Sequence, residues 1–173
     1  MRIKVSIYLV LAFLIFQSCQ GEQNKFVQAE FDKAQGNWTV ERVTLPATAP
    51  ESLKVYVRNA AFLLHKCKYN AKDFAQNSGT CGGDFEVNGQ ILGLNYNYLY
   101  DKKLFQWSLG VFEQTRTPAT TNAYLSTSQI FDGNWDIVIT DNKMTAKRVG
   151  VDKPYQPQET VYKGEIIFTA IRK

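Results

Sequence analysis

The stretch Glu30-Phe31-Asp32-Lys33-Ala34-Gln35-Gly36-Asn37-Trp38 decides how this chain folds. It predicts a short helical turn that runs through Gly36 into a β-strand opened by Trp38. From Asn37 onward, short runs of alternating apolar and polar residues are separated by turn residues, which is the pattern of an antiparallel barrel or sandwich. The stretch therefore marks the start of a sheet.

Length and composition favour a single all-β domain. The 173 residues include 20 basic and 16 acidic ones, and Arg2 and Lys4 belong to an N-terminal leader, so the remainder holds 18 basic against 16 acidic residues, a net charge of +2. That balance is too even for a nucleic-acid-binding face, which requires massed basic residues. Aromatic residues are plentiful and long helical stretches rich in alanine, leucine and glutamate are absent, so we expect an all-β fold of one domain.

Residues 1–18 predict a secretory leader. Arg2 and Lys4 supply its positive end, and Val5 to Phe16 form a largely apolar run that is too short to span a bilayer comfortably. The leader resembles that of bacterial lipoproteins, in which a signal peptidase cuts before a cysteine whose thiol is then acylated. The resemblance implies a lipid anchor on Cys19 and a location in the cell envelope, as an outer membrane lipoprotein. The alternative is plain secretion with an unmodified Cys19.

The rest of the chain divides into a tether and one folded domain. Residues 19–29 are mostly polar and are predicted to be the tether, which leaves residues 30–173 for the domain. The first strand is predicted over Asn37–Thr44, with Trp38 and Val40 on one face. Further strands are predicted over Val55–Tyr69, Asn122–Phe131 and Thr160–Arg172, and loops over residues 45–53, 113–121 and 150–159.

Three hairpins have a predicted register. Asn88-Gly89 is the strongest turn signal, because both residues tolerate the positive φ of a type I′ turn, and it pairs Phe85 with Leu92. A two- or four-residue turn centred on Asp101-Lys102 pairs Tyr98 with Phe105, Tyr96 with Trp107, Leu94 with Leu109 and Leu92 with Val111. A turn at Asp141-Asn142 pairs Ile139 with Met144, Ile137 with Ala146, Trp135 with Arg148 and Asp136 with Lys147. These registers keep the apolar side chains on one face of the sheet.

The opening stretch resembles the first structural motif of the lipocalins. In that family a short helical turn closes the floor of the barrel, a Gly-x-Trp opens the first strand, and an arginine of the last strand packs over the tryptophan. The resemblance implies an antiparallel up-and-down β-barrel of eight to ten strands. It implies that Phe31, Gly36, Trp38 and Arg172 close this barrel. The bacterial lipocalin-like lipoproteins are a closer comparison than the animal transport proteins of the family. The alternative is an ordinary strand start with a core tryptophan.

Cys67 and Cys81 are the thiols that remain once Cys19 is acylated. An exported chain meets an oxidising compartment, so we predict a Cys67–Cys81 disulfide that closes the polar loop 68–80; two free thiols are the alternative. His65 is the chain's single histidine, which excludes metal sites with two imidazoles, and it is expected to be an ordinary strand histidine. No catalytic motif, metal site or cofactor site is predicted.

The candidate ligand-binding residues form one apolar wall of the predicted interior. They are Phe85, Leu92, Leu94, Tyr96, Tyr98, Phe105, Trp107 and Leu109, with Arg148 as a polar handle. An eight-stranded barrel is just wide enough to fill itself with side chains or to hold one small ligand. Two functions follow: a lipid-anchored barrel that binds a small, largely apolar ligand, or a packed barrel that acts as an interaction or structural module through loops 45–53 and 113–121.

Overall fold

The chain folds into a closed barrel of eight strands, each antiparallel to its neighbours, with β1 paired to β8. The computed structural model describes residues 22, 24–70, 81–101, 104–150 and 164–173, with the backbone alone for residues 99–101, 104–108 and 150. The strands are β1 (Gly36–Thr44), β2 (Ala61–Leu64), β3 (Cys81–Val87), β4 (Gln90–Asp101), β5 (Leu104–Phe112), β6 (Gly133–Thr140), β7 (Lys143–Gly150) and β8 (Ile167–Arg172). The predicted up-and-down antiparallel β-barrel is confirmed.

Helices lie at both ends of the barrel. Helix α1 (residues 24–34) leads directly into β1 and lies at the end where β1 begins and β8 ends, which we name the α1 end. Helix α2 (Glu51–Val57) connects β1 to β2, and helix α3 (Pro118–Phe131) connects β5 to β6. These two helices contact each other at the opposite end, which we name the α2/α3 end.

The β3–β4 and β6–β7 hairpins have the predicted registers. Phe85 pairs with Leu92 across a turn in which Asn88 and Gly89 have φ of 49° and 73°. The β6–β7 hairpin has all four predicted pairs, and Asp141 in its turn has a φ of 52°. In both hairpins at least one turn residue adopts the left-handed backbone that tight antiparallel turns use.

The predicted register of the β4–β5 hairpin is wrong by two residues. Tyr98 pairs with Trp107 and Tyr96 with Leu109, so the turn is centred on residues 102–103, which lie outside the described residues. A shift of two leaves every side chain on its predicted face, because the side-chain period of a strand is two. On the outer face, Gly93 therefore lies opposite Phe112, whose ring fills the space where a side chain of residue 93 would be.

Two predicted strands contain helices. The strand predicted over Val55–Tyr69 is wrong: α2 ends at Val57, Asn59 has a φ of 65°, and the strand β2 spans only Ala61–Leu64. Pro50 precedes the helix, and Leu53 and Val57, four residues apart, supply its buried side. The apolar residues of this segment do have helical spacing, but a helix of seven residues is too short for that spacing to be recognised from the sequence.

The strand predicted over Asn122–Phe131 is also wrong, and the loop predicted over 113–121 ends early, because α3 begins at Pro118. Thr117 caps the helix: its side chain accepts a hydrogen bond from the Thr120 backbone N–H, and the Thr120 side chain accepts one from Thr117 N–H. This reciprocal cap, with proline in the first turn, starts a helix despite the β-branched threonines.

The boundaries of the outer segments also differ from expectation. Residues 24–29, assigned to the tether, belong to α1, where Val27 is fully buried against the core. The last strand starts at Ile167 rather than at Thr160. The predicted leader with Cys19, the disulfide loop residues 71–80 and the segment 151–163 lie outside the described residues.

Candidate functional site

The interior of the barrel carries the predicted apolar wall. Six of its residues are buried there: Phe85, Leu92, Leu94, Tyr96, Tyr98 and Leu109. The backbone of β5 places Phe105 and Trp107 in the same alternating series as Leu109, although their side chains lie outside the described part of the structure. The wall is thus brought together by β3, β4 and β5.

A small cavity lies behind this wall. Its lining is apolar: Ala34, Phe62, Leu64, Phe85, Leu94, Leu109, Phe131, Ile137, Met144 and Phe168. Its volume of about 10 Å³ is room for about one water molecule. The cavity is small because Phe131, the last residue of α3, fills the interior. The centroid of its ring lies 4.8 Å from that of Phe85 and 5.4 Å from that of Phe168. Sequence reasoning had placed Phe131 in a strand and so missed its part in filling the interior.

Trp38 organises the closure of the α1 end. Its indole N–H donates to the carbonyl of Ala34 at 2.7 Å, across a turn in which Gly36 has a φ of 119°. The guanidinium carbon of Arg172 lies 4.6 Å from the centroid of the tryptophan ring, and Arg172 Nη2 donates to the carbonyl of Lys33. The last strand thereby holds the end of α1 against the first strand.

A strap of residues 65–70 fastens the other side of α1. The side chain of Gln28 donates to the Cys67 carbonyl at 2.9 Å and accepts from the Tyr69 N–H at 2.8 Å, so it contacts the strap as a neighbouring strand would. The predicted Cys67–Cys81 disulfide is confirmed, with the two Cα atoms 5.7 Å apart. It ties the strap to the start of β3.

Tyr96 joins the strap to the barrel interior. Its hydroxyl donates to the carbonyl of His65, and its ring lies edge-on to Phe31 of α1, with centroids 5.8 Å apart. Burial raises the pKa of Tyr96 to about 12. The hydroxyl is therefore a neutral hydrogen-bond donor at physiological pH.

The α2/α3 end repeats the device of the α1 end. Residues 133–135 are again Gly-Asn-Trp, Gly133 has a φ of 129°, and the indole N–H of Trp135 donates to the carbonyl of Phe131 at 2.9 Å. An arginine again pairs with the tryptophan across the ladder: Arg148 donates through Nη1 to the carbonyl of Gln129 at 3.1 Å. The repeated tripeptide was the sequence signal from which this second closure could have been found.

Arg148 therefore has a different setting from the one expected. It is buried, burial lowers its pKa, and its guanidinium contacts the C-terminal turn of α3. It is not among the residues that line the cavity. A cation at the last carbonyls of a helix satisfies groups that have no partner within the helix.

His65 lies on the outer surface, where His65 Nε2 is 3.1 Å from the carboxylate of Asp84. Asp84 also accepts a hydrogen bond from Gln114 at 3.1 Å. Both partners of the pair are exposed to solvent. Among the residues that the structure describes, no group of three or more histidine, cysteine, aspartate or glutamate side chains could hold a metal ion.

Comparisons with known proteins find no matching family model, no matching curated protein and no matching solved structure. Of the helices in the described ranges, none has the length and hydropathy to cross a membrane. The interior, the two closures and the surface charges therefore provide the basis for an assignment.

Proposed function

We propose that this protein is a lipid-anchored, lipocalin-like barrel with a packed interior, which acts in the cell envelope as an interaction or structural module. The observation that carries the proposal is the size of the cavity. Small-molecule pockets have volumes of several hundred Å³, whereas the apolar cavity lined by described interior residues has a volume of about 10 Å³. The interior serves as a hydrophobic core.

Closure at both ends supports the same proposal. At each end a helix, a Gly-Asn-Trp turn and an arginine of a paired strand are joined by hydrogen bonds. A carrier with an interior site needs a mouth through which its ligand passes, and each end is instead occupied by buried side chains of a helix: Phe31 and Ala34 at one end, Ile130 and Phe131 at the other.

The proposed anchor decides which surface is available to a partner. Cys19 precedes α1, so an acyl group there holds the α1 end toward the membrane and directs the α2/α3 end away from it. The α2/α3 end includes the exposed residues of the two predicted loops that precede the helices, which are residues 47, 48, 50 and 114–117. It also includes Val55, which at 66% is the most exposed large apolar side chain in the described part of the chain. We assign partner contacts to this end.

The packed interior is tested by ligand binding. Native mass spectrometry of protein purified from its host should show the mass of the chain and its acyl groups alone, and fatty acids, retinoids and haem should leave the tryptophan fluorescence unchanged. Phe131→Ala is the matched control, because it opens an apolar cavity that should take up benzene or xenon. A co-purifying ligand, or saturable quenching of the unaltered protein, would refute the packed interior and favour the ligand-binding function.

The anchor is tested separately. Cells given radiolabelled palmitate should incorporate it into the unaltered chain and not into the Cys19→Ser variant. Equal labelling of both chains, or labelling of neither, would contradict acylation at Cys19.

A further inference from the structure

We propose that the α1 end is a binding surface for anionic lipid headgroups, on which the barrel rests once it is anchored. The proposed anchor supplies only the orientation, and the surface itself is defined by charge and exposure. Its residues are Lys25, Phe26 and Lys33 of α1, Lys66 and Lys68 of the strap, Lys143 after the β6–β7 turn, and Lys173. We name this set the basic face.

The α1 helix supplies the centre of the basic face. Its inner side, with Val27 and Phe31, is buried in the barrel end, while Lys25, Phe26 and Lys33 are exposed on its outer side. Phe26 is 43% exposed, although its ring has a neighbour in Tyr98 at a centroid distance of 6.2 Å. An exposed aromatic ring between lysines fits the boundary between lipid headgroups and acyl chains.

Hydrogen bonds place the other lysines around α1. Gln28 bonds to the strap on both sides of Lys68, through the Cys67 carbonyl and the Tyr69 N–H. On the opposite flank, Arg172 N–H donates to the Asn142 carbonyl at 2.8 Å and Lys173 N–H donates to the Asn37 carbonyl at 3.1 Å. The six lysines of the basic face are all exposed and belong to one end of the barrel.

The carboxylates at this end are fewer, and two of them have local partners. Glu30 forms an ion pair with Lys33 at 2.5 Å, and Asp32 accepts a hydrogen bond from Gln28 at 3.0 Å. Glu22, Asp101 and Asp141 are the others at this end within the described residues. Positive charge therefore exceeds negative charge at the α1 end.

The opposite end lacks this excess. Its described cations include Lys54, Arg58, Arg116 and Arg148, and its described carboxylates include Glu51, Glu86, Glu113, Asp132 and Glu165. Two of these cations are paired within their own segments, Lys54 with Glu51 at 2.8 Å and Arg116 with Glu113 at 4.0 Å. Among the described residues, the charge asymmetry runs along the barrel axis, with the positive end at α1.

The length of the connecting chain makes a lipid surface the fitting partner. Only residues 20–23 separate Cys19 from α1, and five Cα steps span at most about 18 Å. A connection this short lets the basic face approach the membrane to within one Debye length, about 8 Å at physiological ionic strength, where headgroup charge acts on it. Each lysine near an anionic membrane surface strengthens binding about fivefold.

Vesicle binding tests the proposal without the acyl chain. The leaderless Cys19→Ser chain is mixed with vesicles of phosphatidylcholine that contain about 30% of the anionic lipid phosphatidylglycerol. Its partition coefficient is measured by sedimentation. Lys66→Gln/Lys68→Gln should lower that coefficient about 20- to 30-fold at low salt. The matched control, Lys54→Gln/Arg58→Gln at the other end, should change it less than about twofold, since those residues face away.

Several results would overturn the basic face. Equal losses in the two double variants, equal binding to pure phosphatidylcholine, or binding that is insensitive to 0.5 M salt would each refute it. Failure of palmitate labelling would remove the anchor and leave the vesicle result unaffected, so the two proposals can fail independently. Circular dichroism melts of both double variants establish that the substitutions leave the barrel folded.

Discussion

Arg172 and Arg148 occupy equivalent places at opposite ends of the barrel. Each is paired across a ladder with a tryptophan, and each donates to a carbonyl in the last turn of a helix. They differ in exposure, since Arg148 is buried whereas Arg172 is partly accessible. The same residue type thus joins strand to helix in two different environments.

Tyr96 should make the stability of the barrel sensitive to alkaline pH. Burial raises its pKa from the ordinary value of 10 to about 12 in the folded state. The contribution of protonated Tyr96 to the free energy of unfolding is therefore fully present below pH 10. Between pH 10 and 12 the unfolded chain loses the proton and the folded chain keeps it, and stability falls as pH rises. Urea unfolding at pH 8 and pH 11 measures the loss.

The Tyr96→Phe variant is the control for this prediction. It should be less stable than the unaltered protein at pH 8, by about 1 kcal/mol for the lost hydrogen bond to His65, and its stability should fall less steeply toward pH 11. The burial that raises the pKa of Tyr69 contributes a remaining dependence in both proteins. Parallel pH profiles for the two proteins would contradict the assignment to Tyr96.

Among the elements, the strap depends on one covalent bond. Cys67→Ala/Cys81→Ala should lower the free energy of unfolding by about 3 kcal/mol on the chain-entropy account of loop closure. Because Gln28 bonds α1 to this strap, hydrogen exchange of residues 24–34 should also become faster. The unaltered protein in a dithiol reductant should match the variant, and unchanged exchange in α1 would show that the strap does not hold the helix.

The elements also separate what was predictable from what was not. The β3–β4 and β6–β7 registers were predictable because Asn88-Gly89 and Asp141-Asn142 carry a local turn signal. The β4–β5 register was missed by two residues because alternation repeats every two and residues 102–103 supply no comparable signal. Helix α3 was missed because its threonines favour a strand, while the Thr117 cap acts only through its hydrogen bonds to Thr120.

The candidate site was predicted in part for the same reasons. The Phe85-to-Leu109 wall follows from strand alternation, which is local, and it was placed on the correct face. The filling of the interior by Phe131 depends on the direction in which α3 returns to β6, which no local pattern specifies. Arg148 was predicted to be a polar group of the ligand site. Its actual partner, the Gln129 carbonyl, belongs to α3, so the contact could not be foreseen while that helix was missed.

At the scale of the whole molecule, the two closures predict matched losses of stability. Trp38 and Trp135 are both fully buried, so Trp38→Ala and Trp135→Ala should each lower the free energy of unfolding by about 3 to 5 kcal/mol. Phe112→Ala, an exposed aromatic on the outer wall over Gly93, should cost clearly less. Thermal and urea unfolding measure all three. An unchanged melting temperature for either tryptophan variant would refute its role as a closure residue.

The pairing of β1 with β8 also sets when folding can finish. The wall between these strands forms only when Ile167–Arg172 reaches the chain's first strand. Until then β1 and β7 both present unpaired backbone edges with apolar inner faces, which is the arrangement that favours association with other chains. For a protein synthesised from its N-terminus, completion of the barrel and protection from aggregation are therefore a single late event.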